Sequence, residues 1–231
     1  IFNNKASIGI FISMFKHELL EKYELESITT NAGRFYTTPD GKRYPSVTTV
    51  IGSYSDKTWL WEWQKRVGKE KAQEITNRAA VRGTAVHKMF EKYLMNDADF
   101  AHKVMPFNKI LFDEMRSTVD QRLDTVYGVE HPLYSHRLRT AGRTDVVANF
   151  DGIPSIVDFK TASRPKDIDS IRGYFQQATC YALMVGERHS INIPQIVVLI
   201  CTTDDGPQVF VQNTVDYVQE VVSMFKNHKF H

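Results

Sequence analysis

Two aspartates, Asp145 and Asp158, stand thirteen positions apart in GRTDVVANFDGIPSIVDFKTA, a stretch that is otherwise typical of buried strands. Between them, the dipeptide Asp151-Gly152 is a strong signal for a two-residue hairpin turn. Counting outward from that turn places Asp145 opposite Asp158 and Arg143 opposite Lys160. Carboxylates at opposed positions lie about 5 Å apart and repel each other, and a divalent cation removes that conflict. The stretch therefore indicates a metal site.

Side-chain alternation predicts that these polar residues share one face of the hairpin. The other face is expected to be the core, made of Val146, Ala148, Phe150, Ile153, Val157 and Phe159. The alternative is an exposed hairpin whose carboxylates form solvated ion pairs with Arg143 and Lys160.

A predicted helix upstream carries further candidate ligands in RGTAVHKMFEKYL. His87 and Glu91 are four residues apart and so share a helical face, and Gly83 one turn earlier allows close approach of a ligand or backbone. Imidazole and carboxylate are both competent metal ligands. Taken singly, His87 is as readily a buried core histidine and Glu91 a surface partner. In QQATCY, Gln177 and Tyr181 share a face, which suits a phosphate or the lysine but also plain packing.

Composition limits the possible partners. The 231 residues contain 29 Lys plus Arg against 27 Asp plus Glu, so a polyanion must be held locally. Cys180 and Cys201 are too few for a disulfide framework or a cysteine-ligated cluster and are expected to be core residues. No stretch approaches eighteen continuous apolar residues, which argues against a membrane span.

Apolar periodicity predicts helices over about 74–94 and 107–126, strands from about 129 onward, a helix that ends at Gly186 and a last helix over 215–227. Trp59 and Trp63 are expected in the core, with Trp61 facing away. We assign residues 1–43 to an extension without a defined role. Residues 44–231 are expected to form one domain, with a helical part over 44–127 and a sheet core over 128–231.

In order along the chain, Gly83 with His87 and Glu91, then GRTD, then DFK, then Gln177 with Tyr181 resemble the RecB-like branch of the PD-(D/E)XK nuclease superfamily. YPSVTTVIG and the Trp-rich segment after it also resemble the mitochondrial genome maintenance exonucleases and related phage exonucleases. The resemblance implies an α/β fold, with a central mixed β-sheet flanked by helices and an N-terminal helical arch. The four cluster cysteines of some relatives are missing, so no iron–sulfur cluster is implied.

The resemblance also implies roles for the site residues. Asp145, Asp158, the carbonyl of Phe159 and His87 would bind one or two Mg²⁺ or Mn²⁺ ions. Lys160 would act on the attacking water together with the two aspartates, and Glu91 would support His87 or bind a second ion. Between positions 137 and 174 there are seven Lys or Arg against five Asp, a local basic region that suits a phosphate backbone. Candidate nucleic-acid contacts are Arg143, Thr161, Arg164, Lys166, Arg172, Gln177 and Tyr181.

The implied function is exonucleolytic hydrolysis of DNA in replication, repair or recombination. A helical arch over the active face would admit a flexible single strand with a free end more readily than a duplex, so we expect single-stranded DNA as the substrate. We expect a monomer inside the cell, in the host cytoplasm if a phage encodes it, without membrane association. Two alternatives stay open: a structure-selective endonuclease, and a catalytically silent nucleic-acid-binding module of the same fold.

Overall fold

The computed structural model describes residues 15–202 and 206–229. In these ranges the strands are β1 Lys16–His17, β2 Glu26–Thr30, β3 Gly33–Thr37, β4 Arg43–Pro45, β5 Leu123–Ser135, β6 Thr140–Phe150, β7 Ile153–Ala162, β8 Gln195–Thr202 and β9 Pro207–Asn213. The helices are α1 Val47–Tyr54, α2 Thr58–Val67, α3 Lys69–Leu94, α4 Pro106–Arg122, α5 Arg172–His189 and α6 Val215–Asn227.

The central sheet is mixed and has the strand order β1-β5-β6-β7-β8-β9. Strands β5, β6 and β7 form an antiparallel meander, and β9 pairs antiparallel with β8. Strand β8 runs parallel to β7, and α5 makes the crossover between them. The predicted α/β class with a mixed sheet flanked by helices is confirmed.

Helices cover both faces of this sheet. One core contains apolar residues of α3 and α4 packed on Val146, Ala148 and Val157. A second core contains residues of α1, α5 and α6 packed on Val147 and Ile156. The predicted core face is confirmed for Val146, Ala148, Phe150, Val157 and Phe159, whereas Ile153 is 41% exposed. The face that carries the aspartates also contains a core, which the sequence analysis did not predict. A strand buried on both faces has a nearly continuous apolar sequence, and VVANF and SIV fit that description.

The predicted hairpin register is confirmed from Phe150↔Ile153 to Val146↔Val157. Asp151 and Gly152 both have positive φ, 53° and 74°, as the tight turn requires. Counted from the turn, the ladder ends at Val146, one residue short of Asp145. On its other edge, β6 pairs Arg143 with Pro132 of β5. Neither of the two predicted polar pairs, Asp145 with Asp158 and Arg143 with Lys160, is therefore part of the hairpin ladder.

Other boundaries also differ from the expectations. The helix predicted over 107–126 ends at Arg122, and Leu123 already begins β5. Helix α5 continues past Gly186 to His189. Strands β2, β3 and β4 form a small antiparallel sheet that the sequence did not reveal, since short exposed strands carry little apolar pattern.

The prediction that Trp59 and Trp63 lie in the core was wrong, because Trp59 is 65% exposed and Trp63 is only half-buried. Helix α2 buries none of its residues, so helical spacing alone did not identify a core face there. Residues 1–14 of the N-terminal extension lie outside the described residues. Within the described part of the chain, no helix combines the length and apolar character needed to cross a membrane.

Candidate active site

Asp145 lies where β6 and β7 separate. Its Oδ2 accepts a hydrogen bond of 2.8 Å from the backbone N–H of Phe159, just beyond the last paired residues of the hairpin. The carboxylate therefore takes the place of the next ladder bond and bridges the two strands. Its side chain is 16% exposed, so it is largely shielded from solvent while remaining reachable.

Asp158 and Lys160 are two residues apart on β7 and form an ion pair through Asp158 Oδ2 and Lys160 Nζ. The side chain of Asp158 is 4% exposed and that of Lys160 is 21% exposed. Gln177 of α5 approaches from the other side, with Nε2 3.5 Å from Asp158 Oδ1. Lys160 Nζ lies 5.1 Å from the centre of the Tyr174 ring, a cation–π distance.

Helix α3 positions His87 through aromatic packing. The ring of Phe90 stacks on that of Phe159, with 4.2 Å between centroids and an interplanar angle of 11°. This contact fixes the helix over β7, and His87 lies almost one turn earlier. His87 Nδ1 is 3.4 Å from Asp145 Oδ2. The predicted residues His87, Asp145, Asp158 and Lys160 thus come together at the separation of the two strands.

Burial and charge shift the pKa values of the two aspartates in opposite directions. Burial, reinforced by the charge of Asp145, raises the pKa of Asp158 to about 6 despite the opposing effect of Lys160. For Asp145, burial acts to raise the pKa, but His87, Lys160 and the N–H of Phe159 together lower it below its ordinary value. Asp145 is therefore the more firmly ionised of the two.

The basic residues of the site respond to the same carboxylates. Burial acts to lower the pKa of His87, yet the hydrogen bond and charge of Asp145 raise it above its ordinary value. Burial likewise acts to lower the pKa of Lys160, and the charges of Asp158 and Asp145 raise it. The carboxylates thus favour the protonated forms of both side chains in a poorly solvated site.

Glu130 is a further site residue that sequence reasoning missed. One ligand atom each from Glu130, His87 and Asp145 lies within 4.8 Å of the others. Burial, and next the charge of Asp145, raises the pKa of Glu130. Its backbone has φ 45°, a left-handed conformation that costs about 1 kcal/mol or more for a residue with a Cβ. The available signal was a glutamate within the apolar strand segment VEHP, but the backbone conformation that orients it is not visible in the sequence.

The other predicted residues are divided between the interior and the surface. Glu91 is half-buried, one turn beyond His87, and Tyr181 is buried with its hydroxyl against Gly142. Thr161 and Lys166 line a pocket beside Lys160. Arg143 and Arg164 are exposed, and Arg172 is paired with Glu220 at 2.7 Å.

No family model and no curated protein matches the chain. Among solved structures, the chain is similar to a protein from Eubacterium rectale that is provisionally named an exonuclease. The two share 18% sequence identity with a TM-score of 0.43, and the match covers 64% of this chain and 63% of that one. This chain thus spans less than two thirds of that protein's length.

Proposed function

We propose that this chain is a metal-dependent deoxyribonuclease of the RecB-like PD-(D/E)XK type that hydrolyses single-stranded DNA from a free end. The observation that carries the proposal is the convergence of three carboxylates, a histidine and a lysine where β6 and β7 separate. Three acidic groups around one lysine and one histidine leave an excess of carboxylates that suits a cation.

The residues present fit a divalent cation. Carboxylate oxygens suit Mg²⁺ and Mn²⁺, and an imidazole nitrogen is compatible with Mn²⁺. The N–H of Phe159 points at Asp145, and the C=O of a strand residue points to the same side as its N–H. The carbonyl of Phe159 is thus a candidate ligand together with Asp145, Asp158 and His87, for one or two ions. When bound, such an ion lowers the pKa of a bound water and neutralises charge on a phosphate.

The side chains of the site divide the remaining work. Lys160 is charged, because the nearby carboxylates raise its pKa. From its position beside Asp158, this charge would orient a water and stabilise negative charge that develops on a phosphate. Gln177 restrains Asp158, and the Phe90–Phe159 stack keeps His87 in place. Glu91, one helical turn beyond His87, is proposed to support this histidine or to serve a second ion. Tyr181 packs on Gly142 and is proposed to hold β6 in position.

The surroundings favour a flexible strand as substrate. Helix α3 borders the pocket beside Lys160, and α2 packs on α3 with its own side chains largely exposed. We propose that this helical wall restricts a rigid duplex and admits a single strand, whose backbone would contact Arg143, Thr161, Arg164 and Lys166.

Digestion of end-labelled DNA tests this function. Linear and covalently closed circular DNA, single- and double-stranded, are incubated with Mg²⁺, Mn²⁺ or EDTA, with the Lys160→Ala variant as the control. We expect short products from linear single strands, with a divalent cation only. Rapid nicking of circular single strands would instead establish the endonuclease alternative, and DNA binding without cleavage of any substrate would establish the silent module.

A further inference from the structure

The pocket beside Lys160 lies between α3 and the segment that follows β7. It encloses about 420 Å³. Its floor is the end of β7 from Lys160 to Ala162, and its walls carry Arg78 and Arg82 of α3 on one side and Lys166 and Tyr174 on the other. We call this space the Arg82 pocket.

The charged side chains that line the Arg82 pocket are all cationic. Four of its lining residues are Arg78, Arg82, Lys160 and Lys166, and none of its lining residues is acidic. Arg78 pairs with Glu74, and Lys160 pairs with Asp158. Arg82 and Lys166 form no ion pair within residues 15–202 and 206–229. Two cationic side chains are thus available for an anion.

The hydrogen bonding of Arg82 also points to a ligand. Its Nε is buried, yet it has no hydrogen-bond partner in the part of the chain that the structure describes. A buried donor without a partner costs about 1–3 kcal/mol, and more for a charged group, unless a ligand satisfies it. A guanidinium suits the paired oxygens of a phosphate.

The opposite wall is held in place. The side chain of Gln208 on β9 accepts a bond of 2.8 Å from the backbone N–H of Lys166 and donates one of 2.9 Å to its C=O. This double contact fixes the backbone from which Lys166 extends. The hydroxyls of Thr161 and Ser163 add polar groups at the floor, and Tyr174 adds an apolar ring for a sugar or base.

We propose that the Arg82 pocket binds the phosphate of the nucleotide next to the scissile bond, through Arg82 and Lys166. The inference rests on the proposed nuclease function, because Lys160 belongs both to the candidate active site and to the pocket floor. A phosphodiester inside the strand and a terminal phosphomonoester offer the same oxygens. The ligand class is therefore a phosphate one nucleotide from the cleavage point.

Binding by the Asp145→Asn protein, in which we expect cleavage to be blocked, tests the pocket separately from catalysis. Arg82→Gln is added to that background and compared with Lys88→Gln, a neutralised cation on an exposed part of the same helix. Fluorescence anisotropy is measured with short single strands at several salt concentrations. We expect about tenfold weaker binding for Arg82→Gln. We also expect a salt slope smaller by about 0.7. Lys88→Gln should change neither, and Arg82→Lys should restore the slope because it restores the charge.

The strand itself is then varied to identify the phosphate. If the pocket holds a terminal phosphate, a strand that ends in a hydroxyl instead of this phosphate binds more weakly to the protein that keeps Arg82. The Arg82→Gln protein then binds both strands equally. If it holds an internal diester, a single neutral methylphosphonate linkage has that effect instead.

An Arg82→Gln protein that binds every strand with wild-type affinity and salt slope overturns the proposal, even if the wild-type enzyme degrades DNA. Conversely, a wild-type chain that cleaves nothing removes the proposed function, while the loss of binding in Arg82→Gln still reports on the phosphate pocket. Thermal unfolding of each variant confirms that the compared proteins are folded.

Discussion

Consecutive residues of β5 take part in two polar clusters with opposite character. Glu130 lies beside His87 and Asp145, where α3 meets the sheet. His131 faces His189 of α5, with 3.3 Å between their Nε2 atoms. We call the first the acidic cluster and the second the histidine pair. Both are at least partly shielded from solvent, so burial alone does not distinguish a candidate active site from a packed interior.

The charge that each cluster keeps does distinguish them. Burial, with smaller contributions from His189 and Lys22, lowers the pKa of His131 to about 4, so this imidazole is neutral at pH 7. Its Nδ1 lies against Gly128, where a Cβ would come within 2.8 Å of it. In the acidic cluster the pKa of His87 is raised instead, because carboxylates surround it. The comparison teaches that nearby charge, more than burial, distinguishes the candidate active site from the packed histidine pair.

The largest effect is expected when Lys160 or Asp158, the ion pair next to the acidic cluster, is changed. Lys160→Ala removes the cation that would stabilise charge on the phosphate, and Asp158→Asn removes a proposed ligand. Each should lower the rate of DNA cleavage by about 100-fold or more. Initial rates with end-labelled linear single strands provide the measurement.

His131→Asn in the histidine pair is the matched control for these variants. Its cleavage rate below its unfolding temperature should be close to that of the wild type. Equal losses from both clusters would show that the substitutions act through folding, and circular dichroism would confirm it.

The histidine pair should instead control stability at low pH. The pKa of His131 is about 4 in the folded protein against 6.5 as its ordinary value. Between these values the unfolded chain binds a proton that the folded chain does not, so stability falls as the pH is lowered from 6.5 to 4. The full loss is on the order of 3 kcal/mol. Urea unfolding at a series of pH values measures it.

A His131→Leu variant removes the group that binds this proton. Between pH 6.5 and 4 its free energy of unfolding should therefore depend less on pH than that of the wild type. If the two curves run parallel, His131 is not the group responsible, and its contrast with His87 disappears.

Cation binding should stabilise the protein through the acidic cluster. A ligand present at about 100 times its Kd raises the free energy of unfolding by about 2.7 kcal/mol. For a chain of this size that is a rise in Tm of roughly 5–10 °C. Thermal unfolding with Mn²⁺ against EDTA measures the shift. Asp145→Asn should abolish it, and His131→Asn should keep it. A shift that persists in Asp145→Asn would place the cation elsewhere.

The sequence was sufficient for the features that local geometry determines. Asp151-Gly152 and side-chain alternation predicted the hairpin register, and helical spacing placed His87 and Glu91 on one face of α3. The residue types then led to the prediction of a metal site, since carboxylates and histidine are competent ligands and a lysine lies beside them. Both parts rest on interactions between residues that are close in sequence or paired by one turn.

The missing parts depend on contacts that no local pattern encodes. Val147 and Ile156 share the strand face of the aspartates, and only the packing of α5 shows that this face is also a core. Glu130 reaches His87 through a left-handed backbone conformation within β5. Trp59 is four residues from Trp63, a spacing typical of a buried helical face. It is nevertheless exposed, because α2 has little to pack against beyond α3.

Glu130 offers the smallest and most specific test of the comparison, because it is next to His131 in sequence but lies beside His87 in the structure. Glu130→Gln keeps the shape and removes the charge. We expect about tenfold weaker Mn²⁺ binding, as found for residues that support a metal site. The raised pKa of Glu130 means that its charge is unfavourable in the folded protein. Without a cation, Glu130→Gln should therefore be at least as stable as the wild type at pH 7.

Glu130→Gly separates the backbone from the carboxylate. Glycine adopts φ 45° without the penalty that a Cβ imposes, so this variant should be more stable than Glu130→Gln by about 1 kcal/mol while showing the same loss of Mn²⁺ affinity. Isothermal titration gives the affinity and urea unfolding gives the stability. Wild-type Mn²⁺ affinity in both variants would assign Glu130 to packing, like His131 beside it. Weaker binding in a protein that is no less stable would show that β5 accepts an unfavourable backbone and a buried charge in order to present a ligand.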